Sequence, residues 1–359
     1  MNEVPFSRTH PARRSLRFTE WPKDDQKAWE TMLADGDIFD GRGPAGHWRP
    51  ETRKTNSYHY GRWLGYLAYV DDLDPGTRPE DRVTRKRVES YYQHLVQLGT
   101  TAPCTRVTML VGLKEVTRAM APDQNWRWLQ DLCNRLGRTA KPSKDKAKRI
   151  RSSIEIYEAA CKGLSDLADG PLDLKHCLVY RDHLMLAFLT ARPLRVKNFT
   201  ALEIGRHMIR TEDRWLITIP APETKTNADI EFWLPSDLVP WFERYLHEIR
   251  PRFPDADSTD QLWLYEKGAA LPRSFVYRRI VPLTEKLFGQ AINPHLLRDC
   301  AATTLSLESI DHARLAPVIL SHRSAKTTER YYIQARNLEA SRRINGILAN
   351  IKDDLEGRS

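Results

Sequence analysis

Apolar residues recur at helical spacing through the first 140 residues of the chain. The pattern predicts helices over about 23–33 and 50–73, a third between Thr84 and Gly99, a fourth beginning at Pro103, and a fifth over 126–136. Thr84 suits an N-cap and Gly99 a C-terminal stop, while proline is favoured in a first helical turn. We therefore expect a small all-helical domain over residues 21–140.

The pattern changes after residue 154, where helical and strand-like segments are mixed. Helices are predicted over about 154–168, 176–189 and 195–202, and later over 236–249, 274–288, 295–307, 313–320 and 335–350. Three segments between them, 207–210, 215–220 and 230–234, read as strands, and 261–265 as a further short one. The fold class predicted is mainly α with a small antiparallel sheet: a helical first domain and an α+β second domain over 154–359.

Two basic segments flank the first domain. Residues 1–20 contain arginines without a following apolar stretch, so we expect a poorly ordered basic arm there and not a secretory signal. Residues 141–153 are rich in lysine and arginine and predict a solvated linker.

Composition narrows the class of protein. A length of 359 residues favours two domains, and 41% hydrophobic with 29% charged residues is typical of globular proteins. The net charge of +9 favours a polyanionic partner, nucleic acid before membrane. The five cysteines are scattered and form no CxxC, so we expect neither a zinc site nor disulfides. Free cysteines favour a reducing compartment, and we expect a cytoplasmic location. No apolar run approaches the length of a bilayer span.

The candidate chemistry begins near the C-terminus. His295 and Arg298 are spaced to share one helix face, and His322 precedes the pair Tyr331 and Tyr332. Each has an ordinary structural interpretation, and for Tyr332 we prefer packing of the ring. A tyrosine hydroxyl has a pKa near 10 and is a poor nucleophile unless cations surround it and its target.

Two cations upstream could supply that environment. Arg195 lies in PLRVKNFTAL, on a predicted short helix, and a guanidinium can donate two parallel hydrogen bonds to a phosphate. Lys225 lies between two predicted strands, where most lysines are merely solvated. The combination is more specific than its parts: an arginine, a hairpin lysine 30 residues later, HxxR 70 residues after that, then a histidine followed by a tyrosine nine residues on.

In this order the motifs resemble those of the tyrosine recombinases, or phage-type integrases. PLRVKNFTAL resembles the family's first arginine box, in which leucine follows arginine by seven residues, and this selects Arg195 over Arg192. PETKTNADIEFWLP resembles the lysine hairpin, HLLRDCAATTL the second box and LSHRSAKTTERYY the third. The first half is similar to the core-binding domain, most clearly at APCTRVTMLVGLKEV. The resemblance covers roughly residues 25–350.

Three positions depart from the family pattern. The family's glycine before the first box is absent from LTARP, Asn198 stands where an acidic residue is common, and Ser321 replaces a glycine before His322. None of these is a catalytic group. They affect how Arg195 and His322 are positioned.

The resemblance implies a chemistry centred on Tyr331. Its hydroxyl would attack the scissile phosphate of DNA and form a 3′-phosphotyrosyl link, while Arg195 and Arg298 hold the non-bridging oxygens. A second strand's 5′ hydroxyl would then reverse the step. The covalent link stores the phosphodiester energy, so neither metal nor ATP is expected as a cofactor.

The same resemblance gives roles to three more residues. His322 would donate a further hydrogen bond to the phosphate, and His295 would assist proton transfer at the tyrosine. Lys225 would protonate the departing 5′ oxygen.

The implied partner is double-stranded DNA with a specific recombination site, gripped by both domains, and family members act as a tetramer on two sites. The tail after Tyr331 would dock on a neighbouring protomer, with packing within its own chain as the alternative. The linker would lie along phosphates as a strap, with a solvated connector as the alternative. Candidate DNA-contacting residues, from helix faces and the linker, are Lys54, Arg62, Lys114, Arg118, Lys144, Lys148 and Arg149.

Three other functions use similar residues. A type IB topoisomerase is disfavoured by the short His322-to-Tyr331 spacing and by the helical first domain. A non-catalytic DNA-binding protein derived from a recombinase is disfavoured because all six catalytic positions are filled. A telomere resolvase would use the same chemistry. The motifs are compatible with several biological outcomes: integration, excision, dimer resolution and transposition. Some of these are reactions of mobile elements.

Overall fold

A computed structural model describes residues 10–36, 41–141, 147–212 and 214–308. The chain divides into two compact units, Met1–Asp145 and Lys146–Ser359. The described part is mainly helical with one small antiparallel sheet, which confirms the predicted fold class. The helices predicted over 313–320 and 335–350 lie outside the described residues. Within the described ranges, no helix is both long and apolar enough to cross a bilayer.

The described part of the first unit contains six helices: α1 Lys23–Leu33, α2 Pro50–Tyr69, α3 Pro79–Arg82, α4 Arg85–Gln97, α5 Pro103–Met120 and α6 Arg127–Thr139. Thr84 caps α4, its hydroxyl accepting from the Arg87 backbone N–H at 3.3 Å, and Gly99 stops it with φ at 62°. Proline opens α5 as predicted. The single turn of α3 was not predicted, because four residues carry no helical period.

The core of the first unit forms where α2 packs on α5. Trp63, Leu64 and Leu67 of α2 are fully buried. Tyr58 and Ala68, which are apolar or aromatic and lie near the two ends of α2, are exposed, so the buried part of the helix is its middle.

An ion pair without exposed surface ties α1 to α3. Arg82 donates to one Asp25 carboxylate oxygen, and the Tyr60 hydroxyl of α2 donates to the other at 2.6 Å. Burial raises the pKa of Asp25, while the Tyr60 and Arg82 donors oppose that rise. Three elements distant in sequence are thereby held in register. We call Asp25, Tyr60 and Arg82 the closed triad.

The expectation of a poorly ordered arm is wrong for residues 10–20. This segment forms two 3₁₀ turns, Pro11–Arg13 and Phe18–Glu20, and buries Leu16 against α2. Leu16 N–H donates to Gly61 O at 3.0 Å, and a Cβ at Gly61 would lie 2.3 Å from Leu16 O. The segment lies that close to α2 because this position has no side chain.

The described part of the second unit contains helices α7 Ser153–Asp166, α8 Leu174–Ala191, α9 Val196–Thr200, α10 Val239–Arg244, α11 Arg273–Phe288 and α12 Pro294–Glu308. After α10 the chain continues helically through a π turn, Tyr245–Ile249, and a 3₁₀ turn, Arg250–Arg252. The segment 261–265 is not a strand, because it forms only isolated bridges, at Gln261 and Leu264.

A meander of three strands, β1 Met208–Thr211, β2 Arg214–Ile219 and β3 Ile230–Trp233, forms the sheet in the order β1-β2-β3. Ile217 of β2 aligns with Met208 on one side and Phe232 on the other, and all three side chains are buried. The same core contains most of α8 together with Phe199, Trp263 and Leu297. The sheet and α8 thus form one scaffold under the segments that carry the candidate chemistry.

Candidate active site

Backbone hydrogen bonds and a buried aromatic ring hold the turn before α9, which carries Arg195. Residues 192–195, the arginine turn, follow α8; Arg192 N–H donates to Phe188 O at 2.8 Å, and Phe199 N–H to Arg195 O at 3.0 Å. Phe199 is fully buried and stacks on Trp263 with ring centroids 4.9 Å apart. Arg195 is half-buried, and burial lowers the pKa of its guanidinium, which nevertheless stays charged at neutral pH. A partly desolvated cation on packed backbone suits an anionic ligand.

The second box meets the arginine turn. Arg298, 7% exposed on α12, donates from Nη1 to the backbone oxygen of Pro193. The two residues are 105 positions apart in the sequence. His295 lies one turn earlier on α12 and is exposed. The structure therefore joins the first and second boxes directly, and places the exposed His295 on the helix that makes the join.

Lys225 lies in the connection between β2 and β3, residues 220–229, which we call the lysine hairpin. Its backbone is held from inside: the buried Thr224 hydroxyl accepts from Ala228 N–H at 3.1 Å and lies 2.9 Å from Ala228 O. Asp229 Oδ1 accepts from Ala221 N–H at 2.7 Å. Lys225 itself is exposed. The lysine therefore lies on an ordered turn between two paired strands. The two strands were predicted from the β-branched and aromatic residues on either side of the turn.

Two features near these residues were missed by the sequence analysis. Arg192 is half-buried with its guanidinium 4.9 Å from the centroid of the Phe232 ring on β3, and burial lowers its pKa. Below the lysine hairpin, the buried His207 contacts Glu223. Neither contact could be predicted from the neighbouring sequence. Arg192 stands beside a proline and His207 before a strand, and their partners Phe232 and Glu223 reach them only when the chain folds.

Three predicted or alternative site residues, His322, Tyr331 and Tyr332, lie outside the described residues, as does Lys144 of the linker. The joined part of the candidate site therefore consists of the arginine turn, which carries Arg195, and Arg298. Lys225 and His295 are exposed in the same unit.

The expectation that Arg62 and Lys114 lie on solvent-facing helix surfaces is wrong. They are 4% and 6% exposed in the first unit. Arg62 Nη1 donates to Arg14 O at 3.4 Å, and Lys114 Nζ to Gln130 Oε1 at 2.7 Å. Both cations are engaged within the unit, because the N-terminal segment covers α2 and α6 covers α5. Lys54 and Arg118, by contrast, are exposed.

The end of the linker packs on the second unit. Arg149 Nη2 donates to Ala291 O, and Gln290 Nε2 donates to Lys148 O at 2.9 Å. The Lys148 side chain is exposed. These contacts hold residues 148 and 149 beside the loop that leads into α12.

Comparison with known proteins identifies the same region. The profile of the phage integrase family matches residues 157–338, half of the chain. Tyrosine recombinase XerD of Chlorobaculum tepidum is 30% identical over 190 residues, which cover 52% of this chain and 58% of that protein. XerD of Lacticaseibacillus casei is 23% identical over 269 residues, covering 74% and 83%. The chain spans little more than half the length of the C. tepidum relative.

Solved structures share the fold. A XerH site-specific recombinase bound to a palindromic difH substrate, in a post-cleavage complex, matches with a TM-score of 0.57 at 15% identity, over 80% of this chain and 78% of that one. The pre-cleavage complex of XerH with difH matches with a TM-score of 0.54 at 16% identity over the same shares. At such identities the likeness concerns the fold.

Proposed function

This chain belongs to the phage integrase family, and from that premise we propose that it is a site-specific recombinase that cuts and rejoins DNA through a 3′-phosphotyrosyl intermediate. The observation that carries the proposal is the hydrogen bond from Arg298 to Pro193 O, which joins the arginine turn to the second box across 105 residues. Two motifs that are far apart in the sequence are thereby held together, with Arg195 two residues from the bonded carbonyl. The relatives named XerD are tyrosine recombinases, which supports the same activity.

In the proposed reaction, Arg195 and Arg298 bind the non-bridging oxygens of the scissile phosphate. Negative charge grows on those oxygens as the nucleophile approaches, and donors fixed in place beforehand stabilise it without reorganisation. Burial of Arg195 supports this role, because a cation with a reduced water shell interacts more strongly with phosphate. Removing one such donor is expected to slow cleavage by about 10²–10³-fold.

Tyr331 forms the bond to phosphorus while the bond to the 5′ oxygen breaks. His322 donates a further hydrogen bond to the phosphate, and His295 assists removal of the tyrosine proton. Lys225 gives a proton to the leaving 5′ oxygen. Attack by the 5′ hydroxyl of another strand releases the tyrosine and completes the exchange.

The proposed substrate is double-stranded DNA, held by both units. Lys54, Arg118 and Lys148 are the exposed candidates for phosphate contacts, which would make binding salt-dependent. Four copies would assemble on two sites, with the tail after Tyr331 docked on a neighbouring copy. Intact assembly and strand transfer after deletion of residues 336–359 would contradict the docking.

Covalent trapping tests the proposed function. The wild-type chain and Tyr331→Phe are expressed with the DNA that flanks the gene, the samples are denatured, and DNA still attached to protein is recovered and sequenced. We expect adducts from the wild type alone, at short inverted repeats around a spacer.

Other outcomes point elsewhere. Adducts scattered without sequence preference would indicate a topoisomerase. No adduct from either protein, with DNA binding intact, would indicate a non-catalytic binding protein. Adducts that persist in Tyr331→Phe would transfer the nucleophile to Tyr332.

A further inference from the structure

We propose that His207 and Glu223 are positioning residues that fix the lysine hairpin to the segment leading from Arg195. The proposal rests on the proposed function, since it concerns how Lys225 reaches the leaving oxygen. Neither residue belongs to the six predicted catalytic positions. Their contact joins two motifs that the sequence separates.

The hydrogen bonds of His207 determine its tautomer. Its side chain is 1% exposed, and Nδ1 accepts from the Glu203 backbone N–H at 3.1 Å. Nδ1 therefore has no proton, and Nε2 carries it. Nε2 then donates to Glu223 Oε2 at 3.0 Å. The imidazole thus connects a backbone amide to a carboxylate.

One end of this connector is anchored close to α9. Glu203 directly follows the fully buried Leu202. Backbone hydrogen bonds on either side of Glu203 hold it against residues 260–262: Leu262 N–H donates to Leu202 O, and Ile204 N–H donates to Asp260 O, each at 2.8 Å. Gln261 Nε2 also donates to Glu203 Oε1 at 2.9 Å. The anchor thus lies three residues after the end of α9, whose N-cap is Arg195.

The other end enters the lysine hairpin two residues before Lys225. Glu223 closes the 3₁₀ turn Ala221–Glu223, its N–H donating to Pro220 O at 3.0 Å. Thr224, between Glu223 and Lys225, is fully buried and bonded to Ala228. Little freedom remains between the carboxylate that His207 holds and the Cα of the lysine.

A second contact reaches the same carboxylate from solvent. Arg206, 54% exposed, donates to Glu223 Oε1. An exposed ion pair contributes little, commonly below about 1 kcal/mol, because water and salt screen it. The bond from His207, whose ring is 1% exposed, sets the hairpin's position. Its consequence is kinetic, because a displaced Lys225 protonates the leaving oxygen less often.

Substituting sulfur for the 5′ bridging oxygen separates positioning from folding. A thiolate is a far better leaving group than an alkoxide, since a thiol has a pKa of about 8.5. Cleavage of the sulfur substrate therefore needs no proton from Lys225. The test uses duplexes with the site recovered by trapping, made with oxygen or with sulfur at the scissile position, and measures the rate of adduct formation by the full chain.

We expect Glu223→Ala to form adducts about 10–100-fold more slowly with the oxygen substrate, as for a misplaced group. With the sulfur substrate its rate should return to within about threefold of wild type. Glu223→Gln keeps an oxygen that accepts from His207 Nε2 and loses only the charged partner of Arg206, so its rate should fall by no more than about fivefold. Glu231→Gln, a matched removal of an exposed carboxylate from β3, should equal wild type with both substrates.

Two results would overturn the positioning role: Glu223→Ala slowed equally with both substrates, or unaffected with both. Lys225→Ala is the reference, expected to be slowed about 10²–10⁴-fold with oxygen and to recover with sulfur. If Lys225→Ala does not recover, the general-acid role in the proposed function fails. If the wild type forms no adduct, the whole proposed function fails.

Hydrogen exchange tests the contact without DNA. In Glu223→Ala we expect amides of residues 221–229 to exchange at least about tenfold faster, with α8 unchanged, because the contact restrains local opening. Unchanged exchange in the lysine hairpin would show that His207 does not hold it, and would overturn the proposal even if the DNA chemistry were confirmed.

Discussion

In the first unit, Asp25 and Arg82 have no exposed surface and meet only protein donors and acceptors. In the second unit, Arg195 is half-buried, Arg298 is 7% exposed, and Lys225 is exposed on an ordered turn. Both regions remove cations from water to some degree. They differ in that Arg195 and Lys225 keep exposed surface that a ligand could reach.

The difference separates structural charge from functional charge. A fully buried ion pair loses most of its hydration, and its attraction roughly compensates for that loss, so what it contributes is a fixed arrangement of α1, α2 and α3. A cation that is partly desolvated yet reachable retains its attraction for an incoming phosphate. The closed triad should therefore govern stability and the arginine turn activity. Three substitutions test that division, and a fourth tests the effect of burying a histidine.

The largest effect is expected for Arg82→Met, which leaves Asp25 buried without its cation. We expect a loss of about 3–5 kcal/mol in the free energy of unfolding. The measurement is urea unfolding of the full chain, followed by tryptophan fluorescence. Arg87→Met is the matched control: Arg87 holds Asp72 with two hydrogen bonds of 2.6 and 2.7 Å but is partly exposed, so its loss should cost about 0–1 kcal/mol. Equal losses would remove the distinction between closed and open pairs.

The next largest effect is expected for Arg195→Ala, which should reduce activity and leave stability almost unchanged. Adduct formation should slow by about 10²–10³-fold because a transition-state donor is gone. The free energy of unfolding should change by no more than about 0.5 kcal/mol, as is usual for positions outside the core. Arg192→Ala, in the same turn, distinguishes the two arginines: a large loss of activity there and none at Arg195 would move the role to Arg192.

Arg298→Lys should lose both properties, because Arg298 is at once a proposed phosphate ligand and a donor to Pro193 O. A lysine cannot reproduce the guanidinium's several directed donors. We expect about 1.5–3 kcal/mol of stability to be lost with the charged hydrogen bond, together with slower adduct formation. Unchanged stability in urea unfolding would mean that the bond to Pro193 contributes nothing to the fold.

The smallest effect concerns His183 of α8, which is buried in the second unit. Burial lowers its pKa below the ordinary 6.5, so below pH 6.5 the unfolded chain takes up a proton that the folded chain does not. Stability is therefore full above pH 6.5 and falls as the pH drops towards the folded pKa, by up to about 1.4 kcal/mol per pH unit. Urea unfolding between pH 7 and 5 should show a shallower decline in His183→Gln. An unchanged decline would assign it to other groups, such as His59 and His94, whose pKa values burial also lowers.

Local signals in the sequence were sufficient for much of the fold. The range predicted for α1 agrees with its bounds, and the Thr84 cap, the opening proline of α5 and the three strands are all present. Caps, proline and hydrophobic periods act over a few residues, so the chain need not be folded for them to be read. The roles of the six predicted catalytic residues remain predictions.

Exposure was the property that local signals misjudged. Arg62 and Lys114 read as solvent-facing cations, yet the N-terminal segment and α6 cover them. The helical period of the sequence shows which side of a helix is apolar. It does not show whether a segment from elsewhere in the chain covers a polar residue of that helix. The docking of residues 10–20 was missed for the same reason.

The sequence by itself therefore determined most of the helices and the three strands of the described residues, and the residue types able to perform the proposed chemistry. Only the tertiary structure decided the pairings: Asp25 with Arg82, Pro193 with Arg298, and His207 with Glu223. These contacts connect separate elements, and each is made when packing of the apolar faces brings those elements together. The core selects the pairing because a polar group buried without a partner costs about 1–3 kcal/mol, more if it is charged.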